Sequence, residues 1–379
     1  MRLTTHQIKG DTPSSSFQIP VYECGPVQAE TVIYLQAGMH ADEHPGMMVL
    51  HHLIDQLEVA DAAGLLKARF IILPVVNPLG LAHLSFHSHA GRYHPVNALN
   101  YNRGWPDFAA LIASESDITD KFGDDAAANR SLVRDWLQSW LAAQTPHSAL
   151  EQQRHIVMGY ALQADMVLDL HCDDLALNHI FTVPQNLPEM QRLADWMGSA
   201  ATLVAEDSGG GSFDEVWSGM WISLARRYPE AAWDAPVISA TLEYRGQQDV
   251  SDAQGFSDAR NLYHFFCEEG AIDEAPIITR PTAPAATRLD ACDIVRVTQS
   301  GLLAYEVSLG DVVKTGDVIA TLIQLDGDAP ARTRHPILAG TDGVVFTINQ
   351  MKYVWPGVSI AKIAGQTPLE SRTGYLLED

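Results

Sequence analysis

The sequence predicts an α/β fold followed by a small all-β unit, and three observations carry that expectation. Short β-branched runs enclose a segment of helical apolar spacing: Thr31–Ala37 (TVIYLQA), Gly46–Leu57 (GMMVLHHLIDQL) and Phe70–Val76 (FIILPVV). Strand, helix, strand in that order points to a largely parallel sheet with helices on its faces. Next, Ala275–Arg288 (APIITRPTAPAATR) holds three prolines and reads as a semi-rigid linker. Beyond it the pattern changes to short strands punctuated by glycine, as in Gly301–Leu325 and Ala339–Gly365, which reads as a barrel or sandwich. The expected units are residues 1–282 and 283–379.

Each element has its own local reason. Thr31–Ala37 is apolar and β-branched, ends at Gly38, and reads as a buried strand. Phe70–Val76 closes on Asn77-Pro78-Leu79-Gly80, a turn signal. Ser131–Ala143 is expected to be helical, with Leu132, Trp136, Trp140 and Leu141 on a core-packing face. Met166–Leu170 (MVLDL) and Val237–Tyr244 (VISATLEY) are two further strand candidates. The C-terminal unit has the paired turns GDVVKTGD and WPGVSI of a biotinyl/lipoyl-type barrel. Its Lys352, beside Met351, precedes Trp355-Pro356-Gly357 instead of lying between the two halves, so it is expected to be unmodified.

Composition bounds the partners. The chain has 379 residues, a hydrophobic fraction of 46 % and a formal net charge of −23. That apolar content supports a sizeable core and excludes a disordered chain. The acidity argues against nucleic acid and anionic membrane surfaces, both of which need a surplus of Lys and Arg. From Ala283 onward 8 basic side chains face 11 acidic ones, so most of the acid excess belongs to the larger unit. Cys24, Cys172, Cys267 and Cys292 have neither CxxC spacing nor a disulfide pattern, and are expected to be buried thiols. The N-terminus has no apolar leader, and no apolar run approaches the ~20 residues of a membrane span. A soluble cytoplasmic protein is expected.

The chemistry-bearing residues lie at the expected strand ends. In Gly38–Gly46 (GMHADEHPG), His40 and Glu43 are three residues apart between a strand and a helix. An imidazole and a carboxylate so spaced can share one side of a turn and chelate one metal ion. The third ligand must come from elsewhere, and His171 ends the strand MVLDL. Open parallel sheets bind ligands beyond the carboxyl ends of their strands. His40, Glu43 and His171 then make a His₂Glu set for one Zn²⁺, leaving a position for water. Glu243 ends another apolar strand and fits a general base outside the ligand set. Asp169, two residues before His171, is either an acceptor for the ligating imidazole or a plain strand-end carboxylate. Arg92, Asn102 and Arg103 follow the turn after FIILPVV and suggest an anionic group on the substrate. His83, His87, His89 and His94 read as a polar loop near the site, with no acidic or Cys partner for a second metal. Gly209-Gly210-Gly211 lacks the phosphate-loop pattern and reads as a flexible loop. No GxSxG elbow marks a serine hydrolase.

Taken in order, GMHADEHPG, Asn77-Pro78, Arg92-Tyr93, Asn102-Arg103, Asp169-Leu170-His171 and Glu243 resemble the succinylglutamate desuccinylase/aspartoacylase family, a branch of the zinc carboxypeptidase superfamily. The resemblance covers most of the chain, including its β-rich end. It implies a zinc-carboxypeptidase-like mixed sheet flanked by helices, and hydrolysis of the amide bond of a small N-acyl amino acid. By the same resemblance His40, Glu43 and His171 hold zinc, and Glu243 is the general base. Arg92 polarises the scissile carbonyl, and Asn102 and Arg103 bind the substrate carboxylate. Residues 93–101 make a longer spacer than the shortest family versions. The 104–164 segment is expected to shape the pocket or to form a homo-oligomer contact. Two alternatives stand beside the deacylase: a zinc carboxypeptidase acting on peptides, and a non-catalytic zinc-containing binding protein.

Overall fold

The computed structural model describes residues 1–234, 237–325, 333–374 and 376. Its centre is a nine-stranded mixed sheet. The strands are β1 (Arg2–Lys9), β2 (Ser16–Cys24), β3 (Val32–Ala37), β4 (Arg69–Leu73), β5 (Met166–Asp173), β6 (His179–Thr182), β7 (Ala201–Val204), β8 (Ile238–Gly246) and β9 (Thr287–Arg288). They lie in the order β1-β2-β4-β3-β5-β8-β6-β7-β9. The middle four, β4-β3-β5-β8, are mutually parallel, as the strand–helix–strand pattern predicts.

These middle strands are mainly apolar up to their carboxyl ends because both their faces are covered. On one face Ile33, Leu35, Met166 and Leu168 pack against α1 (Pro45–Ala62), α4 (Leu187–Met197) and α6 (Asp252–Glu268). On the other, Tyr34 and Val167 pack against α2 (Ala126–Ala143), α3 (Ala149–Ala161) and α5 (Phe213–Arg227). The 104–164 segment thus supplies α2 and α3 to one layer of the fold. The seam of α2 is shifted from the expected one. Val133, Leu137 and Leu141 are buried, while Leu132, Trp136 and Trp140 are only partly covered. Asp125 caps the helix by accepting the Ala128 N–H, ahead of the predicted start.

Past the large sheet, two small antiparallel sheets face each other. One contains Cys292–Arg296, Ser359–Gly365, Gly343–Ile348 and Val312–Val313; the other contains Arg334–Leu338, Val318–Ile323, Gly301–Tyr305 and Tyr353–Val354. Ile319, Val345, Val354, Ile360 and Ile363 fill the space between. Two features tie them to the large sheet. Thr287–Arg288, inside the proline-rich stretch and beyond residue 283, adds β9 parallel to β7. The two-residue strand Leu175–Ala176, directly after β5, pairs with Gly343–Ile348. All four cysteines are free and buried, as expected. No helix among the described residues is long and apolar enough to cross a membrane.

Candidate active site

His40 and Glu43 lie in the turn between β3 and α1, and His171 is near the end of β5. Gly46 lets α1 come close to β5: a Cβ there would meet the Leu170 Cβ at 2.8 Å and its carbonyl oxygen at 3.0 Å. That approach brings Glu43 to His171. The Glu43 carboxylate is shared, with Oε1 2.9 Å from His40 Nδ1 and Oε2 2.7 Å from His171 Nδ1. The three side chains offer ligand atoms within 4.8 Å of one another, and all three are buried.

The outer ring nitrogens are already engaged. His40 Nε2 lies 2.8 Å from Asn100 Oδ1, which also accepts the Asn102 N–H. His171 Nε2 lies 2.9 Å from Asp169 Oδ2. Acceptors at Nε2 place a proton there and turn each Nδ1 towards the Glu43 carboxylate. Two imidazole nitrogens and a carboxylate converging in one buried pocket suit a divalent metal. The same neighbours shift the titration of all three groups. Burial alone would lower the His171 pKa, but Asp169 and Glu43 hold it well above the ordinary value. Burial and Arg92 keep His40 below its ordinary value. Burial would raise Glu43, yet the two imidazoles hold it well below the usual carboxylate range.

The other sequence-predicted residues line the same cavity as this cluster. Glu243 stands on β8 as the register partner of His171. Its Oε2 is buried and has no hydrogen-bond partner. Burial and the Glu43 charge push its carboxyl up to about 8. Arg92 Nη1 lies 3.2 Å from Glu43 Oε1. Gly91 lets its loop reach the site: a Cβ at that position would meet the Asp42 nitrogen at 2.4 Å. Asn102 Nδ2 is 3.4 Å from His171 Nε2, and Asn102 Oδ1 accepts the Phe213 N–H at 2.8 Å. Arg103 also lines the cavity, and its Nη1 donates to the Asn102 carbonyl.

Within this frame, residues 29–215 match the model of the succinylglutamate desuccinylase/aspartoacylase catalytic domain. Residues 29–215 are thereby identified as a succinylglutamate desuccinylase/aspartoacylase catalytic domain. Solved structures of family proteins share the chain's architecture. One from Shewanella frigidimarina NCIMB 400 is 21% identical with a TM-score of 0.81, covering 97% of this chain and 98% of its own. One from Shewanella amazonensis SB2B is 22% identical with a TM-score of 0.79, covering 95% and 98%. The product-bound ectoine utilization protein EutE (DoeB) from Ruegeria pomeroyi is 16% identical with a TM-score of 0.62, covering 96% and 95%. No curated protein matches the chain in sequence.

Several residues of the site escape the sequence reading. Asn100 holds His40, but nothing in its local sequence distinguishes it from its neighbours. Lys362, on strand Ser359–Gly365 of the first small sheet, lines the cavity and pairs with Asp173. Ser208, Ser212 and Asp214 also line it, on either side of the three glycines. Asp169 Oδ2 is the ion-pair neighbour of His171 Nε2. Of the loop histidines, His89 stacks on His44 at 5.3 Å and lies 3.0 Å from the Gly80 carbonyl. His94 faces Asn97.

Proposed function

We propose that this protein is a zinc-dependent hydrolase that cleaves the amide bond of a small N-acyl amino acid. The observation that carries this reading is the buried convergence of His40 Nδ1, His171 Nδ1 and the Glu43 carboxylate, with the unpartnered Glu243 carboxyl on the adjacent strand. His40, Glu43 and His171 would hold the ion. When bound, zinc supplies Lewis acidity, lowering the pKa of water towards ~7 and polarising a carbonyl.

The protein's own groups do the rest. Glu243 accepts the proton of the attacking water and returns it to the leaving amine. Its desolvated setting keeps it basic enough for the first transfer and acidic enough for the second. Arg92 sets a guanidinium beside Glu43 and stabilises the negative charge that develops on the carbonyl oxygen. Asn102 and Arg103 hold the substrate carboxylate. Residues 1–282 form the hydrolase unit in this reading, and 283–379 a β-rich unit that borders the cavity.

A screen of N-acyl amino acids against zinc-loaded protein, scored by free amine, tests the reading. Release of amine that a chelator stops with little unfolding is the expected result. Cleavage of peptides of several lengths in preference to N-acyl amino acids would favour a carboxypeptidase instead.

A further inference from the structure

The cavity has a second arm that the chemistry above leaves unused. Thr241 pairs with Phe181, and Phe181 with Leu203, across the adjacent strands β8, β6 and β7. Register partners share a sheet face, so these three side chains form a row, and all three line the cavity. Strands lie about 4.8 Å apart, so the row runs about 10 Å outward from the strand that carries Glu243. Ala205 comes from the loop that also holds the three glycines, and Val183 and Leu289 complete the lining. Phe181, Leu203, Ala205 and Leu289 belong to one apolar cluster.

Of the lining cations, Lys362 is paired with Asp173, and Arg92 and Arg103 come from the loop that reaches the metal cluster. Arg288, next to Leu289, is exposed and paired with Asp290, and the loop after Ala205 carries acids. Glu215 already accepts the Ser208 and Ser212 N–H groups, and Asp214 accepts the Ser212 hydroxyl at 2.6 Å. A second carboxylate on the substrate would be desolvated here beside like charge. An alkyl chain would lose only its contact with water.

We propose that this arm receives an uncharged apolar substituent of the scissile amide, about 10 Å long. The substrate is then an N-acyl amino acid with a single carboxylate, not a dicarboxylate. This inference rests on the deacylase reading. The substituent can be the acyl chain or the amino-acid side chain, and two substrate series separate them.

In the first series glycine carries acetyl, butyryl and hexanoyl groups; in the second, acetyl caps glycine, norvaline and norleucine. N-succinylglutamate and N-acetylaspartate serve as dicarboxylate controls. The expected result is a rise in kcat/KM of about fourfold per methylene in one series, which identifies the occupant. The controls should fall at least tenfold below the best substrate. Ala205→Phe, at a partly exposed position, should flatten the rise, and Phe181→Ala should move the optimum to longer chains. Calorimetry of hexanoate against adipate on the metal-free protein needs no turnover. Hexanoate binding that Ala205→Phe abolishes supports the arm even where no amide is cleaved, in which case the deacylase reading alone fails. Flat responses in both series, faster turnover of the dicarboxylates, or preferential binding of adipate would overturn the proposal.

Discussion

At the residue scale the site turns on two carboxylates with opposite environments. Glu43 lies between two imidazoles and a guanidinium, which hold it ionised. Glu243 is one strand away, and burial and the Glu43 charge hold its proton more tightly. Two carboxyl groups whose surroundings push them apart can take separate roles, one as ligand and one as base. Glu243→Gln keeps the shape and removes the basic oxygen. The expected outcome is loss of turnover by at least ~10²-fold with zinc content unchanged, read by steady-state assay and metal analysis. In the wild type, turnover should fall as pH drops through the Glu243 pKa, because the protonated acid cannot accept a proton. Full activity in Glu243→Gln would remove this residue from the mechanism. His40, Glu43, His171 and Glu243 are legible in sequence because each ends or follows an apolar strand run, where side chains leave the sheet. Asn100 is not, because its value lies in one contact with His40 across 60 residues of chain.

At the element scale, the long spacer between Arg92 and Asn102 has a support that sequence alone does not reveal. Arg154, on α3, donates to the carbonyls of Tyr101, Arg103 and Gly104. Its guanidinium also lies 4.5 Å from the Trp105 ring centroid. A planar fork of five donors suits three converging carbonyls, and an ammonium does not. One helical residue therefore fixes the loop that carries Asn102 and Arg103. The 104–164 segment, expected to shape the pocket or an oligomer contact, reaches the cavity through this loop. Arg154→Lys keeps the charge and loses the fork. KM for a carboxylate-bearing substrate should rise about tenfold while kcat and zinc content change little, since the metal cluster is built on other elements. An unchanged KM would mean that the loop holds itself. In the sequence a lone Arg on an amphipathic helix looks like any solvated charge.

At the scale of the whole molecule, a chain of net charge −23 gathers Arg92, Arg103 and Lys362 around one cavity. The lining also holds Glu43, Asp173, Asp214, Glu215 and Glu243, so the placement of individual charges and not the net balance sets what the site can bind. Lys362 also joins the small sheets to the strand that carries His171, because it pairs with Asp173 at the end of β5. The Leu175–Ala176 pairing with Gly343–Ile348 reinforces the same junction. The glycine-punctuated pattern predicts the small sheets; their seat against β5 rests on contacts between residues 189 apart, invisible to local periodicity. The junction has a pH signature. Burial would raise the Asp173 carboxyl, but Lys362 draws it down to about 2 from an ordinary 3.8. A depressed folded-state pKa gives stability that is present above about pH 4 and is lost as pH falls towards 2. Allowing for partial exposure, the pair contributes about 1–2 kcal/mol. Lys362→Met keeps most of the apolar stem and removes the partner charge. The variant should unfold more easily than the wild type at pH 6, by about that amount in denaturant titration. The gap should narrow steadily between pH 4 and pH 2, where Asp173 protonates in both proteins. A gap that stays constant over this range would assign the loss to packing of the lysine stem and not to the ion pair.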